Sequence, residues 1–136
     1  MGMFDPLRIS ASGMTAERLR MDVIAENLAN ANTTRGANGQ PYRRKEVVLQ
    51  EGTGKSFDQV LGGVAVSGVV DDQSPLRRVY DPGNPDADAK GFVSLPNVSS
   101  VTEMVDLITA QRGYEADIQA MNNARTMFTR ALDILR

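Results

Sequence analysis

The acidic side chains in the middle of the sequence are the first candidates for chemistry. Asp71-Asp72 and Asp81 could supply the pair of carboxylates that general acid–base catalysis uses. Such a pair needs an enclosed cleft that separates its two pKa values, and the surrounding stretch has little apolar mass to build one. No nucleophile or oxyanion motif accompanies them, and the chain has no His and no Cys. The sequence therefore predicts a protein without enzymatic activity or a cofactor.

A second candidate is the stretch DADAKGFVSLPN, residues 86–97, which resembles a calcium-binding loop at several of its positions. Its fifth position is Lys90, a cation, and its twelfth is Asn97, where such a loop needs a bidentate Glu. These two departures predict a turn-rich loop that leads into a strand, with no metal.

Composition excludes several classes of partner. With a formal net charge of -2 over 136 residues, the chain lacks the basic face of a nucleic-acid-binding protein. The short run Arg43-Arg44-Lys45 is interpreted as a solvated strand edge. No apolar run is long enough to enter or span a bilayer, and the start lacks the apolar core of a cleavable signal peptide. We therefore expect neither membrane insertion nor export by the general secretory route.

The stretch ENLANANTTRG, residues 26–36, combines three asparagines with the end of a predicted helix. Asn27 and Asn30 are three positions apart and share one side of that helix, whereas Asn32 falls at its end. One interpretation is local, with Asn32 in a left-handed conformation that caps carbonyl groups. The other is a recognition surface, because each amide offers donors and an acceptor to a neighbouring chain. The residues alone leave both interpretations open.

Apolar periodicity predicts two amphipathic helices at the ends of the chain. The first spans about 6–31, and the second runs from Ser100 to the end, where Ser100 and Glu103 form a predicted capping box. Gly13 and Gly113 are the weak points of the two helices. The predicted seam comprises Leu7, Met14, Met21 and Leu28 in the first helix and Leu107, Tyr114, Ile118, Met121, Phe128, Leu132 and Leu135 in the second.

Between the helices, short runs rich in Val, Tyr and Phe alternate with Gly, Pro and Asp. They predict strands near 46–50, 64–70, 76–80 and 92–95, and a mobile loop at 51–63. The predicted fold class is α+β, with the end helices pairing as an antiparallel coiled coil and a small β-rich middle module. The predicted divisions are 1–32, 33–97 and 98–136. Because the second helix is the longer one, part of its apolar surface needs a partner chain, which predicts an assembly subunit.

Two stretches carry a resemblance to a known family. ENLANANTTRG resembles the N-terminal signature of bacterial flagellar axial proteins, which comprise rod, hook and hook-associated subunits. The stretch VSGVVDDQSPLRRVYDPGNPDADAKGFVSLPNV, residues 66–98, resembles the proximal-rod branch of that family, and so does the final helix. The resemblance covers nearly the whole chain, with loop 51–63 as the departure.

The resemblance implies a structural subunit that polymerises with copies of itself and other rod subunits into a torque-transmitting shaft. It implies passage through the flagellar type III export apparatus and a place in the periplasmic rod of the basal body. The end helices would form the inner tube and the middle segment an outer domain. By resemblance, the assembly motif comprises Asn27, Leu28, Ala29, Asn30, Ala31, Asn32 and Thr33.

Two other functions remain as alternatives. One is a sibling rod or hook subunit, which the length and content of the middle segment would distinguish. The other is a rod-associated enzyme that processes peptidoglycan, in which Asp71, Asp72 or Asp81 would carry the activity.

Overall fold

The computed structural model describes residues 5–36, 38–51 and 63–134. Its elements are α1 (Asp5–Ala29), β1 (Lys45–Glu51), β2 (Val64–Asp71), β3 (Arg77–Tyr80), β4 (Phe92–Leu95) and α2 (Ser100–Ile134). The α+β class is confirmed, and each predicted strand and helix is present within a residue or two of its expected bounds. Residues 52–62 of the predicted mobile loop, and Leu135 of the predicted seam, lie outside the described residues.

The strands form two separate antiparallel pairs. β1 pairs with β2 from Lys45 opposite Asp71 to Glu51 opposite Val64, with a register shift between Val48 and Leu49. β3 pairs with β4, and Tyr80 and Phe92 meet edge to face at 5.3 Å between ring centres. Two-stranded sheets are marginal by themselves, and the first is supported by packing against α1.

The two helices pack against each other in antiparallel orientation. Gly13 lies against Asp117, Gly113 lies against Glu17, and Asn27 bonds to Glu103, so the chain runs in opposite directions along the pair. The described core is small and consists of Ala16, Val23, Ile24, Ala31, Val93, Val98, Ala110 and Ala124. Small side chains therefore occupy much of the helix contact, and this lets the two backbones approach closely. Neither helix, over its described residues, has an apolar stretch that could cross a lipid bilayer.

The end of α1 differs from the prediction. Among the described residues only Gly39 and Gly91 have positive φ angles, so Asn32 does not adopt the expected left-handed conformation. The chain instead leaves the helix through two tight turns, in which Ala31 N–H donates to Leu28 O and Thr33 N–H donates to Asn30 O. Bonds of this spacing satisfy carbonyl groups at a helix end without a left-handed residue.

The start of α2 also differs. The side chain of Ser99 lies 3.5 Å from the N–H of Thr102, so Ser99, and not Ser100, is at the capping position. Glu103 is fully buried and its carboxylate bonds to other parts of the chain. The predicted capping box of Ser100 and Glu103 is therefore wrong, because this carboxylate has stronger partners than a backbone N–H.

Candidate assembly site

Asn27, the first residue of the predicted assembly motif, lies in the interior of the fold. Its side chain is 1% exposed. The amide nitrogen donates to Lys45 O at 2.9 Å and to Glu103 Oε2 at 3.0 Å. The amide oxygen accepts from Lys45 N–H and from Tyr42 OH, both at 2.9 Å. All four hydrogen-bonding positions of this amide are therefore used inside the chain.

Glu103 joins this arrangement from the first turn of α2. Its other carboxylate oxygen accepts from Arg44 Nε at 2.5 Å, and the residue is 0% exposed. The Arg44 guanidinium also bonds to Asp106 Oδ2 at 3.3 Å and to the Glu46 carboxylate. Asn27, Tyr42, Arg44 and Glu103, with the Lys45 backbone, are called the polar cluster below. The polar cluster ties α1, β1 and α2 together at a single point.

Arg44 corrects one interpretation from the sequence. The run Arg43-Arg44-Lys45 was expected to be a solvated strand edge, but the Arg44 side chain is only 18% exposed. Burial alone would lower the pKa of Arg44, but the hydrogen bond and charge of Glu103, helped by Glu46, raise it instead. The solvated interpretation is wrong for Arg44, because the buried carboxylate of Glu103 requires a cationic partner.

Tyr42 contributes an uncharged hydrogen-bond donor to the polar cluster. Burial, followed by the negative charges of Glu26, Asp71 and Glu103, raises the pKa of Tyr42 to about 12. The phenol is thus held in its protonated form and donates to Asn27 Oδ1. The ammonium group of Lys45 lies 5.6 Å from the centre of the Tyr42 ring and bonds to Glu26 at 2.6 Å.

The other asparagines of the motif have different surroundings. Asn30 is half-buried, donates to Glu26 O at 2.9 Å and accepts from Thr33 Oγ1 at 3.2 Å, so both bonds are local. Asn32 is exposed at the rim of a groove of about 580 Å³ between the end of α1 and the start of α2. The remaining members divide between exposed Ala29, buried Ala31, and half-buried Leu28 and Thr33.

The predicted helix seam is distributed differently from the core. Leu132 is exposed, at 57%. The middle of the helix contact is taken by Ser10, Gly13, Ala16, Ala110 and Ala124, which are buried. Half-buried positions beside it are held by Leu7, Met14, Met21, Leu28, Leu107, Tyr114, Ile118, Met121 and Phe128. Whether these larger side chains form a seam between subunits stays a prediction.

The candidate acidic chemistry is not supported by the surroundings of the carboxylates. Asp72 accepts from Ser74 N–H at 2.8 Å, and this bond lowers the pKa of Asp72, opposite to what a general acid needs. In the calcium-like stretch, Asp88 accepts from Lys90 N–H and Phe92 N–H, and Asp86 bonds to Thr34 and Arg35. Within residues 5–36, 38–51 and 63–134, no group of acidic side chains could hold a metal ion.

Sequence reasoning missed the polar cluster. Glu103 and Arg44 are far apart along the chain, and each fits a common local role, at a helix start and on a strand. The one available signal was Asn27, which sits a full turn before the predicted helix end near residue 31, where a capping role explains it poorly.

Comparisons with known proteins bear on this arrangement. Residues 7–37 match the family described as "Flagella basal body rod protein", and residues 89–134 match "Flagellar basal body rod FlgEFG protein C-terminal". The chain is 46% identical to the flagellar basal-body rod protein FlgC of Bacillus subtilis (strain 168), over 98% of this chain and 99% of the relative. The chain belongs to the FlgC family of flagellar basal-body rod proteins.

Two more relatives carry the same name. The FlgC protein of Borreliella burgdorferi is 41% identical over 100% of this chain and 99% of its own length, and that of Salmonella typhimurium (strain LT2) is 42% identical over 98% of each. The two matched ranges, 7–37 and 89–134, contain most of α1 and all of α2, the two helices that meet at the polar cluster. The protein is accordingly a structural subunit of the flagellar basal-body rod and not an enzyme.

Proposed function

We propose that the chain polymerises through α1 and α2, which pair as an antiparallel coiled coil in the inner tube of the rod. The observation that carries this proposal is the exposure of large apolar side chains on α2. Val101, Met104, Val105, Ile108, Met127, Leu132 and Ile134 are each more than half exposed in the single chain. A water-exposed helix does not keep so many apolar side chains unless partner subunits cover them.

The two sheets and their connections form the outer part of the subunit in this proposal. Residues 1–32 and 98–136 are then the inner domain and 33–97 the outer one. The polar cluster lies at the boundary and fixes the direction in which β1 leaves the helix pair. Because its groups are buried and bond to one another, the polar cluster permits one geometry between β1 and the helix pair. Buried polar groups specify geometry in the same way in helical assemblies. In a torque-transmitting shaft, a fixed orientation between the inner and outer parts of each subunit would resist twisting.

The assembly motif acts in two ways in this proposal. Asn27 works inside its own subunit, through the polar cluster. Ala29 and Asn32 are exposed and are available to neighbouring subunits. The small side chain of Ala29 permits close approach of another backbone, and the Asn32 amide can bond to it.

Partners and location follow from the same proposal. The chain assembles with copies of itself and with other rod subunits in the periplasm, after crossing the inner membrane unfolded through the flagellar type III export apparatus. The absence of Cys is compatible with an oxidising compartment, because the fold needs no disulfide and exposes no thiol.

The proposal is tested by replacing both Phe128 and Leu132 with Ala. If these side chains become buried between subunits, each replacement costs ~2–5 kcal/mol of assembly energy. We expect rods to fail while the variant still reaches the periplasm, since export requires an unfolded chain. Electron microscopy of basal bodies and fractionation of cells measure the two outcomes separately.

The matched control is a variant with Thr126 and Thr129 changed to Ala. Both threonines lie on exposed positions of the same helical segment and bond only to backbone carbonyls one turn back. Normal rods from the Phe128 and Leu132 variant would contradict the proposed contact between subunits. Equal failure of the control would also contradict it, because the loss would then not be specific to the apolar side chains.

A further inference from the structure

One side of the β3–β4 pair is exposed and carries two aromatic rings. Opposite residues of an antiparallel pair lie on the same side of the sheet. By the register of this pair, one side carries the residues called the aromatic face below, which are Arg78, Tyr80, Phe92 and Ser94. The other side packs on the fold through Val93, which is 2% exposed. On the aromatic face, Tyr80 is 64% exposed and Phe92 is 38% exposed, so both rings are open to a ligand.

The Tyr80 ring is exposed but restricted by its neighbours. It meets Phe92 edge to face at 5.3 Å between ring centres. Gly91, whose φ is +79°, lies against the same ring, because an added Cβ there would come within 2.8 Å of Tyr80 Cε2 and 3.2 Å of Pro82 Cβ. The Arg78 guanidinium lies 5.2 Å from the centre of the Phe92 ring. A ligand that stacks on Tyr80 therefore orders a side chain that is already positioned, which lowers the entropic cost of binding.

A small cavity adjoins the aromatic face. It has a volume of about 220 Å³, and Phe92 and Ser94 belong to both surfaces. The cavity is otherwise polar, with side chains that include Thr34, Arg35, Asp86 and Asp88. Hydroxyl, guanidinium and carboxylate groups thus line a concave space directly beside an aromatic surface. The two carboxylates come from the stretch that resembles a calcium-binding loop, 86–97, and they bond to side chains and backbone of the chain.

The charges of this surface are paired with one another. Arg35 Nε lies 3.2 Å from Asp86 Oδ1, and Arg78 donates to Asp88 Oδ2 at 2.8 Å. A charged ligand would compete with one of these two pairs, whereas an uncharged ligand can bond to both members of a pair. Within the part of the chain that the structure describes, each guanidinium uses one of its five N–H groups for its pair. Donors therefore remain for a ligand.

The other charged groups nearby do not change this balance. Asp81 and Lys90, on the turns that join the two strands, have opposite signs and are exposed. Arg77 belongs to the opposite side of the strand pair from the aromatic face. The surface as a whole therefore favours neither an anion nor a cation, and it suits a neutral ligand that has both an apolar face and many hydrogen-bonding groups.

We propose that the aromatic face and the adjoining cavity bind an uncharged glycan chain. A pyranose ring has C–H groups on its two faces and hydroxyl groups around its edge. The C–H groups match the exposed Tyr80 ring, and the hydroxyls match the paired guanidinium and carboxylate groups. Sites for small molecules combine apolar surface with a few placed polar groups in this way. The site lies on β3, β4 and their connections, so it is independent of the contacts proposed for α1 and α2.

Nuclear magnetic resonance of the full purified chain tests this site with two uncharged probes, cellotetraose and the tetramer of N-acetylglucosamine. At least one probe should shift the backbone signals of residues 78–80 and 86–94 in a saturable manner. Tyr80→Ala should weaken that binding about tenfold, because it removes one aromatic contact. Tyr80→Phe keeps the ring and should keep most of the affinity. The matched control is Val70→Ala, which shortens an exposed side chain of the other sheet and should leave binding unchanged.

The signal map of the parent chain decides the question even if Tyr80→Ala does not fold. Absence of saturable shifts with both probes at millimolar concentration, or shifts centred on another part of the chain, would overturn the proposal. Equal binding by a folded Tyr80→Ala variant would do the same. Tighter binding of a sulfated heparin tetrasaccharide than of either neutral probe would also overturn it, because a surface of paired charges should not prefer an anion. None of these results would affect the proposed rod contacts.

Discussion

The two ends of the helix pair hold together in different ways. At the end where α1 finishes and α2 starts, Asn27, Arg44 and Glu103 form buried, directional bonds that involve three segments of the chain. At the other end, small residues such as Ser10 and Gly13 make the contact, and α2 continues with exposed apolar side chains. Directional polar bonds thus hold one end of the pair, and small side chains pack at the other, while α2 carries exposed apolar side chains near both of its ends.

Polar and apolar contacts differ in how strictly they set geometry. A buried carboxylate and a buried amide accept only partners in the right geometry, so they specify how the β1–β2 sheet joins the helices. Apolar surfaces are less directional and can be covered by several neighbours. The polar cluster therefore specifies geometry within the monomer, whereas the exposed apolar side chains of α2 are the part of the chain that we propose for contacts in the rod.

The largest effect on the monomer is expected from Glu103→Ala. This change leaves Arg44 in a mostly buried site without its main partner, and removal of one member of a buried ion pair costs ~3–5 kcal/mol. Urea unfolding of the purified chain measures the loss. The control is Glu115→Ala, which removes an exposed carboxylate of the same helix that bonds only to Gln111 and should change the free energy of unfolding by less than ~0.5 kcal/mol. Equal losses from both variants would mean that the polar cluster does not hold this end together.

Asn27→Ala and Asn30→Ala should have different effects on stability, although both residues belong to the same motif. Asn27→Ala leaves buried donors and acceptors unpaired, at a cost of ~1–3 kcal/mol. Asn30 makes only local bonds, and Ala is the better helix former by ~0.5 kcal/mol or more, so its replacement should be neutral or slightly stabilising. Thermal unfolding followed by circular dichroism compares the two variants. A stabilised Asn27→Ala monomer would contradict the assignment of this residue to the polar cluster.

The secondary structure was largely predictable from the sequence, because hydrophobic periodicity and turn residues are local signals. The strand at 92–95 and the helix start at Ser100 matched. The polar cluster was not predictable, since Glu103 looks like a capping residue when only Ser100 is considered. The choice of Arg44 as its partner is settled by tertiary packing, and no local pattern encodes a contact between residues so far apart along the chain.

The register of the two helices was also not predictable from the sequence. Large residues such as Met14 and Ile118 suggested the line of contact, and Gly13 and Gly113 suggested weak points. In the folded chain the small residues take the centre of the contact and the large ones flank it, because close approach of two helices favours positions without bulky side chains. Periodicity identifies the correct face of a helix but does not tell which row on that face is central.

Alkaline pH should lower the stability of the folded chain through Tyr42 of the polar cluster. The pKa of Tyr42 rises from its ordinary value of 10.0 to about 12 in the folded chain, chiefly through burial. Below pH 10 both states keep the phenolic proton, whereas between about 10 and 12 the unfolded chain loses it first, so stability falls as pH rises through this window. Tyr42→Phe should be less stable by about 1 kcal/mol at neutral pH, from the lost bond to Asn27. Its free energy of unfolding should also fall less steeply across the same alkaline window. An equally steep fall in the variant would exclude Tyr42 as the source of the pH dependence.

The smallest effects are expected between the two ends, where each helix places a glycine against the other. At Gly113 an added Cβ would meet Glu17 Cδ at 3.3 Å, which is the outer part of a flexible side chain. One oxygen of that carboxylate, Oε2, is buried without a hydrogen-bond partner, so moving the side chain towards water breaks no bond there. Gly113→Ala should therefore keep most of the ~1 kcal/mol that Ala gains over Gly in a helix interior.

Gly13→Ala is the matched variant and should behave in the opposite way. Its Cβ would lie 2.4 Å from Asp117 Oδ2 and 2.9 Å from Asp117 Cγ, and this shorter side chain has little freedom to withdraw. Overpacking at such a contact costs ~1–3 kcal/mol, which cancels or exceeds the gain in helix propensity. Urea unfolding of the two variants should thus place Gly113→Ala above the parent chain in stability and Gly13→Ala at or below it. Equal stabilisation by both would show that the helices are not held at this separation, and that the polar cluster alone sets their register.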